Sequence, residues 1–130
     1  MAENLNILLV EDDLINQKVA KSILKRRNHT VTIADNGQIG VDLYLNNEYD
    51  IILMDIQMPV LDGIEATKLI RKYELEFDKK IIIIAVTAYS LEKDKERIMS
   101  AGMDNYLSKP YKPNDLLDII DNTYSLLKNK

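Results

Sequence analysis

The sequence predicts a doubly wound α/β fold in which five βα units surround a parallel sheet. Short apolar runs alternate five times with segments whose apolar residues recur at helical spacing. Two runs, Ile7 to Val10 and Ile51 to Met54, are apolar at every position, as in strands buried on both faces. Turn residues such as Asn36-Gly37 and Asp62-Gly63 separate the segments. Because crossovers between parallel strands are right-handed and must bury an apolar stripe, helices are expected on both faces of the sheet.

The predicted elements follow in chain order. Strands are expected at Asn6 to Val10, Thr30 to Ala34, Asp50 to Met54, Ile81 to Val86, and Asn105 to Ser108. Helices are indicated by apolar residues three or four apart, namely Ile15, Val19 and Ile23, then Val41 and Tyr44, then Ala66, Leu69 and Ile70, and finally Leu116, Ile120 and Leu127. A fourth helix, between Leu91 and Ser100, is the least apolar, and its run of charges favours a solvated surface.

Length and composition limit the function classes. The chain has 130 residues, of which 46% are hydrophobic, so residues 1–130 are expected to form one compact domain. The net charge is -4 and the basic residues are scattered, which argues against direct binding of nucleic acid. The chain has no cysteine, no secretory leader pattern and no run of membrane-spanning length, so a cytoplasmic location is expected.

Acidic residues follow two of the apolar runs. Glu11, Asp12 and Asp13 come directly after the first strand, and Asp55 comes after the third. Either Asp12 or Asp13 alone has an ordinary explanation as a helix cap. Three acids at neighbouring strand ends would repel one another unless a cation lay among them, and Mg²⁺ prefers such oxygen ligands. Since ligands bind at the carboxyl ends of strands in open parallel sheets, the acids predict a magnesium site there.

Two further side chains are expected at the same edge. Lys109 follows the fifth run and precedes a proline, which restricts the local backbone and is compatible with a cis bond. Thr87 ends the fourth run and is a candidate hydrogen-bond donor. Carboxylates act as nucleophiles toward phosphoryl groups and form aspartyl-phosphates, which need cationic stabilisation of the phosphoryl oxygens. The acids at this edge therefore include a candidate nucleophile, and His29, which begins the second strand away from this edge, is expected to be structural.

Four strings resemble those of the response-regulator receiver domain. They are LLVEDD at Leu8 to Asp13, LMDIQMPVLDG at Leu53 to Gly63, AVTA at Ala85 to Ala88, and YLSKP at Tyr106 to Pro110. The resemblance extends from Asn6 to about Leu127. It implies a five-stranded flavodoxin-like sheet in the order 2-1-3-4-5. The strings EDDLINQ and AGMDNYLSKP are more similar to receivers of hybrid histidine kinases than to receivers attached to DNA-binding domains.

The resemblance also implies roles for individual residues. Asp55 would accept the phosphoryl group, and Asp12, Asp55 and the Gln57 carbonyl would bind Mg²⁺, with Glu11 contributing through water. Thr87 and Lys109 would contact the phosphoryl group, and Tyr106 would swing inward on activation. Gln57 and Tyr89 would flank the approach of water. Since neither is an acid and Tyr89 is bulky, slow dephosphorylation is expected, rather than the steady turnover of a conventional enzyme.

The implied partners are a histidine kinase or a histidine phosphotransfer protein as phosphoryl donor, and a downstream protein that binds helix 4, strand 5 and helix 5. A stand-alone regulator and a receiver belonging to a hybrid kinase both agree with the sequence. Three other functions fit the sequence less well. A nucleotide binder would need a loop rich in Ser, Thr or Gly where Glu11 to Asp13 stand. An aspartyl-nucleophile phosphohydrolase would normally carry a cap domain, and a receiver that is never phosphorylated would not need Asp12, Asp55, Thr87 and Lys109 together.

Overall fold

The computed structural model describes residues 2–77, 79–88 and 91–128, with the backbone alone at residues 91–93. Strands and helices alternate in the order β1 (Asn6–Val10), α1 (Leu14–Leu24), β2 (Thr30–Ala34), α2 (Gly37–Asn46), β3 (Ile51–Asp55), α3 (Gly63–Phe77), β4 (Ile82–Thr87), α4 (Leu91–Ala101), β5 (Asn105–Ser108) and α5 (Pro113–Lys128). Within these described ranges, no helix is both long and apolar enough to cross a membrane.

The five strands form one parallel sheet in the order β2-β1-β3-β4-β5, as expected. Every residue of β3 and β4 is buried, which explains why these strands are continuous apolar runs. Helices α1 and α5 cover one face of the sheet, and α2, α3 and α4 cover the other. The doubly wound α/β prediction is confirmed. Asp55 and Thr87 are the last residues of β3 and β4, one position inside the strands rather than beyond the predicted runs.

Local contacts fix where the helices near the carboxyl edge begin. The Asp13 side chain caps α1 by accepting a hydrogen bond from the Ile15 N–H at 3.3 Å. The start of α3 lies directly against the end of β3, because a Cβ at Gly63 would overlap the carbonyl oxygen of Asp55. The glycine of the Asp62-Gly63 turn therefore lets α3 start beside the end of β3.

The inward face of α1 differs from the prediction. Gln17, Ala20 and Ile23 are buried, whereas Ile15 and Val19 are 70% and 48% exposed. Helical spacing shows that Ile15, Val19 and Ile23 share a stripe, but it does not fix which stripe faces the sheet. In the structure the helix is rotated so that a glutamine faces inward. Two of the three residues of the predicted core stripe thus lie at the surface.

A charged network joins elements at the amino-terminal edge of the sheet. Arg71 donates to Glu74 at 2.6 Å, to Asp104 at 2.9 Å, and to the carbonyls of Ile81 and Gly102, both at 2.8 Å. Glu74 is buried and accepts two further bonds, from the Tyr44 hydroxyl at 2.8 Å and the Ile81 N–H at 2.7 Å. Each buried charge is therefore paired and hydrogen-bonded, as burial requires.

His29 lies at this edge, directly before β2, and is 5% exposed. Its Nδ1 accepts a hydrogen bond from the Leu5 N–H at 3.1 Å, and its Nε2 has no partner in the described part of the chain. Burial lowers the pKa of His29, with smaller contributions from nearby charges. A protonated ring would lose the Leu5 bond and place a charge in the interior. The expected structural role of His29 agrees with these contacts.

This environment predicts a loss of stability in acid. Because the pKa of His29 is lowered by folding, the unfolded chain takes up a proton near the ordinary histidine pKa of about 6.5 that the folded state resists. The stabilisation by neutral His29 is complete above that pH and declines below it. Urea unfolding should show that wild type loses stability relative to His29→Gln when the pH falls from 8 to 5.5.

Glutamine is the chosen replacement because its side-chain oxygen can also accept from Leu5 but does not titrate. Other groups, including the carboxylates, cancel in the difference between the two proteins. Between pH 8 and pH 9 the difference should stay constant. If the difference were also constant between pH 8 and pH 5.5, protonation of His29 would not oppose folding.

Candidate functional site

Three acids meet at the carboxyl ends of β1 and β3. Val10 pairs with Met54 across the two strands, so the residues that follow, Glu11 and Asp55, lie side by side. Asp12 joins them from the loop after β1. One carboxylate oxygen from each of Glu11, Asp12 and Asp55 lies within 4.8 Å of the others. Glu11 and Asp55 are buried, and Asp12 is exposed, so the cluster opens toward solvent on one side.

Lys109 reaches this cluster from the end of β5. Its backbone N–H donates to the carbonyl of Thr87 at 2.7 Å, which anchors it to the end of β4, and the Lys109–Pro110 peptide bond is cis. Its Nζ lies 2.7 Å from Glu11 Oε1 and 3.4 Å from Asp55 Oδ2. Burial opposes the charged form, but the hydrogen bond to Glu11 and both negative charges outweigh it and raise the pKa of Lys109. Lys109 is therefore a fixed cation.

The two buried acids titrate differently. Burial and the charge of Glu11 raise the pKa of Asp55 to about 7, although Lys109 and the N–H of Gln57 act in the opposite direction. Burial also disfavours ionised Glu11, but its bonds from Lys109 and from the Asp13 N–H lower the pKa of Glu11 overall. Ionisation is thus favoured at Glu11, whereas Asp55 loses its proton only near neutral pH.

The donor set suits a hard divalent cation. Three carboxylates face a single ammonium group, so the fully ionised cluster carries two surplus negative charges. Burial raises the pKa of Asp55 most, and the charge of Glu11 within this surplus raises it further. All the clustered ligand atoms are oxygens, which Mg²⁺ prefers and which discriminate against softer metals. The residues present therefore fit the metal that the sequence predicted.

The remaining predicted residues are distributed around the cluster. Thr87 is buried at the end of β4, and Gln57 is exposed just after β3, where its N–H donates to Asp55 Oδ1 at 3.3 Å. Tyr106 is half-buried on β5 and packs against the layer formed by α2, α3 and α4, with Lys95 Nζ 5.9 Å from its ring centroid. Tyr89 lies outside the described residues.

One polar residue near the site was not predicted. Gln17 is buried on the inward face of α1 and donates to the carbonyl of Glu11 at 2.6 Å and to Asp35 Oδ1 at 2.9 Å. Its signal in the sequence is the stripe that it shares with Ala20 and Leu24, at spacings of three and seven residues. That stripe competes with the more apolar stripe of Ile15 and Val19, which the sequence favoured.

A cavity of about 600 Å³ adjoins the exposed side of the cluster. It lies between the loop after β3 and helix α4, and its lining includes Asp12, Gln57, Met58, Asp62, Asp94 and Arg97. Arg97 pairs with Asp94 at 3.3 Å on the surface of α4. The acidic cluster is thus reached from solvent through a polar opening.

Known proteins share this sequence pattern and this fold. Residues 7–121 match the response regulator receiver domain family. The chain is 42% identical over 120 residues to hybrid signal transduction histidine kinase I of Dictyostelium discoideum and 39% identical over 128 residues to histidine kinase 5 of Arabidopsis thaliana. These matches cover 88% and 80% of the chain but only 7% and 14% of the two kinases, so the chain corresponds to a small part of each.

Two solved structures are similar over nearly the whole chain. The receiver domain of Saccharomyces cerevisiae Ssk1, crystallised with the histidine phosphotransfer protein Ypd1, has a TM-score of 0.88 at 32% identity, with 98% of this chain and 93% of that chain covered. The receiver domain of sensor histidine kinase PA1611 from Pseudomonas aeruginosa has a TM-score of 0.84 at 40% identity, with 95% and 99% covered. The latter holds a magnesium ion in its active-site cleft.

The predicted resemblance is therefore confirmed, including its bias toward hybrid histidine kinases, since several of the relatives are such kinases. The sheet order and the acidic cluster agree with it. The chain belongs to the response regulator receiver domain family and is a receiver domain of two-component or phosphorelay signalling.

Proposed function

We propose that Asp55 accepts a phosphoryl group from a phosphohistidine in a Mg²⁺-dependent step. The observation that carries this proposal is the position of the Asp55 carboxylate, 3.4 Å from the Lys109 ammonium and within one cluster with Glu11 and Asp12. Glu11 already accepts short bonds from Lys109 and from the Asp13 N–H, and Asp12 is exposed, whereas Asp55 is buried, lies beside Lys109 and adjoins the two other acids. Asp55 is therefore the acid best placed to act as nucleophile.

In this step an Asp55 oxygen attacks phosphorus, the P–N bond breaks, and its electron pair returns to the histidine nitrogen of the donor. Asp12, Asp55 and the Gln57 carbonyl would hold Mg²⁺, with Glu11 acting through water, and the bound ion would supply the positive charge that ionises Asp55 and neutralises phosphoryl oxygens. Lys109 and Thr87 would bind the transferred group. Lys109 is already oriented by Glu11 and by the backbone of Thr87.

Phosphorylation of one residue is directly measurable. Incubation with acetyl phosphate and Mg²⁺ should add one phosphoryl group by intact mass. Asp55→Asn should remove the labelling because an amide oxygen is a poor nucleophile, and EDTA should remove it in wild type. Asp118→Asn makes the same change at an exposed acid on α5 and should label normally.

Equal labelling of Asp55→Asn and wild type would contradict the assignment of the nucleophile.

The same assay tests the expected lifetime of the phosphorylated state, because the label can be followed after the donor is removed. Decay over many minutes is the prediction. Loss of most label within seconds would contradict slow dephosphorylation.

The partner that donates the phosphoryl group would dock beside the site on α1. Leu14, Ile15 and Val19 are 62%, 70% and 48% exposed, although all three are large and apolar. Val19 also lines a cavity of about 370 Å³ together with Lys109 and Pro110, so the apolar surface continues to the active-site lysine. Exposed apolar surface of this kind marks interaction sites. Since the similar Ssk1 receiver was crystallised with a histidine phosphotransfer protein, we propose a donor of that class, or a histidine kinase.

The docking proposal predicts that a change in this surface affects a protein donor of phosphoryl groups but not a small-molecule donor. Ile15→Ala with Val19→Ala should slow transfer from phosphorylated Ypd1 at least about tenfold, because buried apolar contacts of this size contribute a kcal/mol or more to an interface. Acetyl phosphate is too small to use the surface and should label the double variant normally. Leu126→Ala alters an equally exposed leucine on α5 and serves as the control. Unchanged transfer from Ypd1 would place the donor elsewhere.

We also propose that phosphorylation changes a surface formed by α4, β5 and α5, where a downstream protein would bind. Thr87 and Lys109 lie at the ends of β4 and β5, and Tyr106 lies on β5 within reach of Lys95 on α4. Contacts from Thr87 and Lys109 to a phosphoryl group would therefore favour one arrangement of this surface over another.

Beryllofluoride, as a substitute for the phosphoryl group, should shift amide resonances across residues 91–111. The shifts should be smaller in Thr87→Ala, which keeps Asp55 but loses the hydroxyl. Thr30→Ala removes an exposed threonine from β2 and should respond like wild type. Shifts confined to the loops after β1 and β3 would show that no such surface responds.

Residues 1–130 are proposed to act as one receiver domain, supported by the single sheet onto which both helical layers pack. A single urea transition is expected of such a unit.

Because donors in this chemistry draw their phosphoryl groups from ATP, we propose a cytoplasmic location, which fractionation of cells would test.

A further inference from the structure

Gln17 is the feature of α1 that the function so far leaves unexplained. It is 6% exposed, whereas its apolar neighbours Ile15 and Val19 face solvent. Burying a carboxamide in place of an isoleucine is unfavourable unless its polar atoms are hydrogen-bonded. Its Nε2 satisfies both hydrogens, donating to the Glu11 carbonyl at 2.6 Å and to Asp35 Oδ1 at 2.9 Å. The orientation of α1 therefore places one specific donor group against the end of β1.

The bond to the Glu11 carbonyl acts on the link between two acids of the cluster. That carbonyl belongs to the peptide unit that joins Glu11 to Asp12. The other groups of Glu11 have different partners: its N–H donates to Ala34, and its carboxylate accepts from Asp13 and Lys109. The carbonyl is the remaining polar group of Glu11, and Gln17 holds it in place. The same bond therefore orients the backbone that leads into Asp12.

Asp35 holds Gln17 in turn. It follows β2, is exposed, and offers a charged acceptor, which makes the 2.9 Å bond stronger than one to a neutral group. The Gln17 N–H also donates to the Asp13 carbonyl at 2.9 Å in the first turn of α1. The carboxamide thus connects the ends of β1 and β2 to the start of α1, on the opposite side of Glu11 from Lys109.

We propose that Gln17 is a positioning residue for the metal site: it fixes the Glu11–Asp12 peptide and thereby sets the affinity for Mg²⁺, and Asp35 sets the orientation of Gln17. This inference rests on the proposed function, since it takes Glu11 and Asp12 as metal ligands. Groups that orient metal ligands typically change metal affinity by 10-fold to 100-fold when removed. Asp12 is exposed and directly follows this peptide unit, so the direction of the backbone before it determines where its carboxylate can reach.

The test is Mg²⁺ binding by titration calorimetry. Gln17→Met keeps the length of the side chain but removes its donors, and should weaken Mg²⁺ binding about tenfold. Asp35→Ala should weaken it less, and adding Asp35→Ala to Gln17→Met should have little further effect, because the two residues act through one bond. Gln38→Met is the matched control, since Gln38 is an exposed glutamine whose Nε2 also bonds a carboxylate, that of Asp42 at 3.0 Å.

A second measurement separates positioning from a general structural role. With Gln17→Met, the Mg²⁺ concentration that gives half-maximal labelling by acetyl phosphate should rise about tenfold, while the rate at saturating Mg²⁺ stays near that of wild type. Thermal unfolding in EDTA reports whether the variant is folded, and if it is not, Asp35→Ala carries the test. A reduced rate at saturating Mg²⁺ would overturn the proposal, as would unchanged Mg²⁺ affinity in both variants.

Failure of this inference and failure of the proposed function give different results. If Asp12→Ala bound Mg²⁺ as tightly as wild type, the metal site itself would be wrong. If Asp12→Ala lost Mg²⁺ binding but Gln17→Met and Asp35→Ala kept it, the metal site would stand and only the role of Gln17 would be excluded.

Discussion

The surplus of negative charge at the carboxyl ends of β1 and β3 is the constraint on which the site depends. Parallel pairing forces Glu11 and Asp55 to end adjacent strands at the same level. Lys109 compensates only part of their charge, and burial together with the charge of Glu11 raises the pKa of Asp55. A cation bound at such a site reduces the repulsion among the acids. The bound cation can in turn attract an anionic group. The proposed metal binding and the proposed phosphoryl transfer therefore depend on the same electrostatic surplus.

The opposite edge of the sheet shows what a satisfied charge cluster looks like in the same fold. Arg71 is bonded to Glu74, Asp104 and two carbonyls, and Glu74 has partners at both oxygens. These contacts fasten α3 to the beginning of β4 and to the loop before β5. Such a network stabilises one arrangement and has no need of a ligand. The fully paired charges therefore lie at one end of the strands, and the incompletely compensated acids lie at the other.

Helix α1 serves both the interior and the surface of the site. Its inward stripe holds Gln17 against Glu11, while its outward stripe exposes Ile15 and Val19 near Lys109. A helix that buried its most apolar stripe would hide the proposed docking surface and would withdraw the carboxamide from the end of β1. The two proposals about α1 therefore have one structural origin, the rotation of the helix about its axis.

The sequence by itself determined the fold class, the order of the elements, and the acids, threonine and lysine at the carboxyl edge. Buried parallel strands can be recognised as apolar runs, and the residues at their carboxyl ends must share one edge of the sheet. Only the tertiary structure decided the rotation of α1, since Ile15 and Gln17 both belong to stripes of helical period and packing selects between them. It also decided that Glu11 takes the short bond from Lys109 and that Asp55 is left with the raised pKa. Those outcomes depend on distances of a few ångströms between residues far apart in the chain, which spacing along the sequence does not encode.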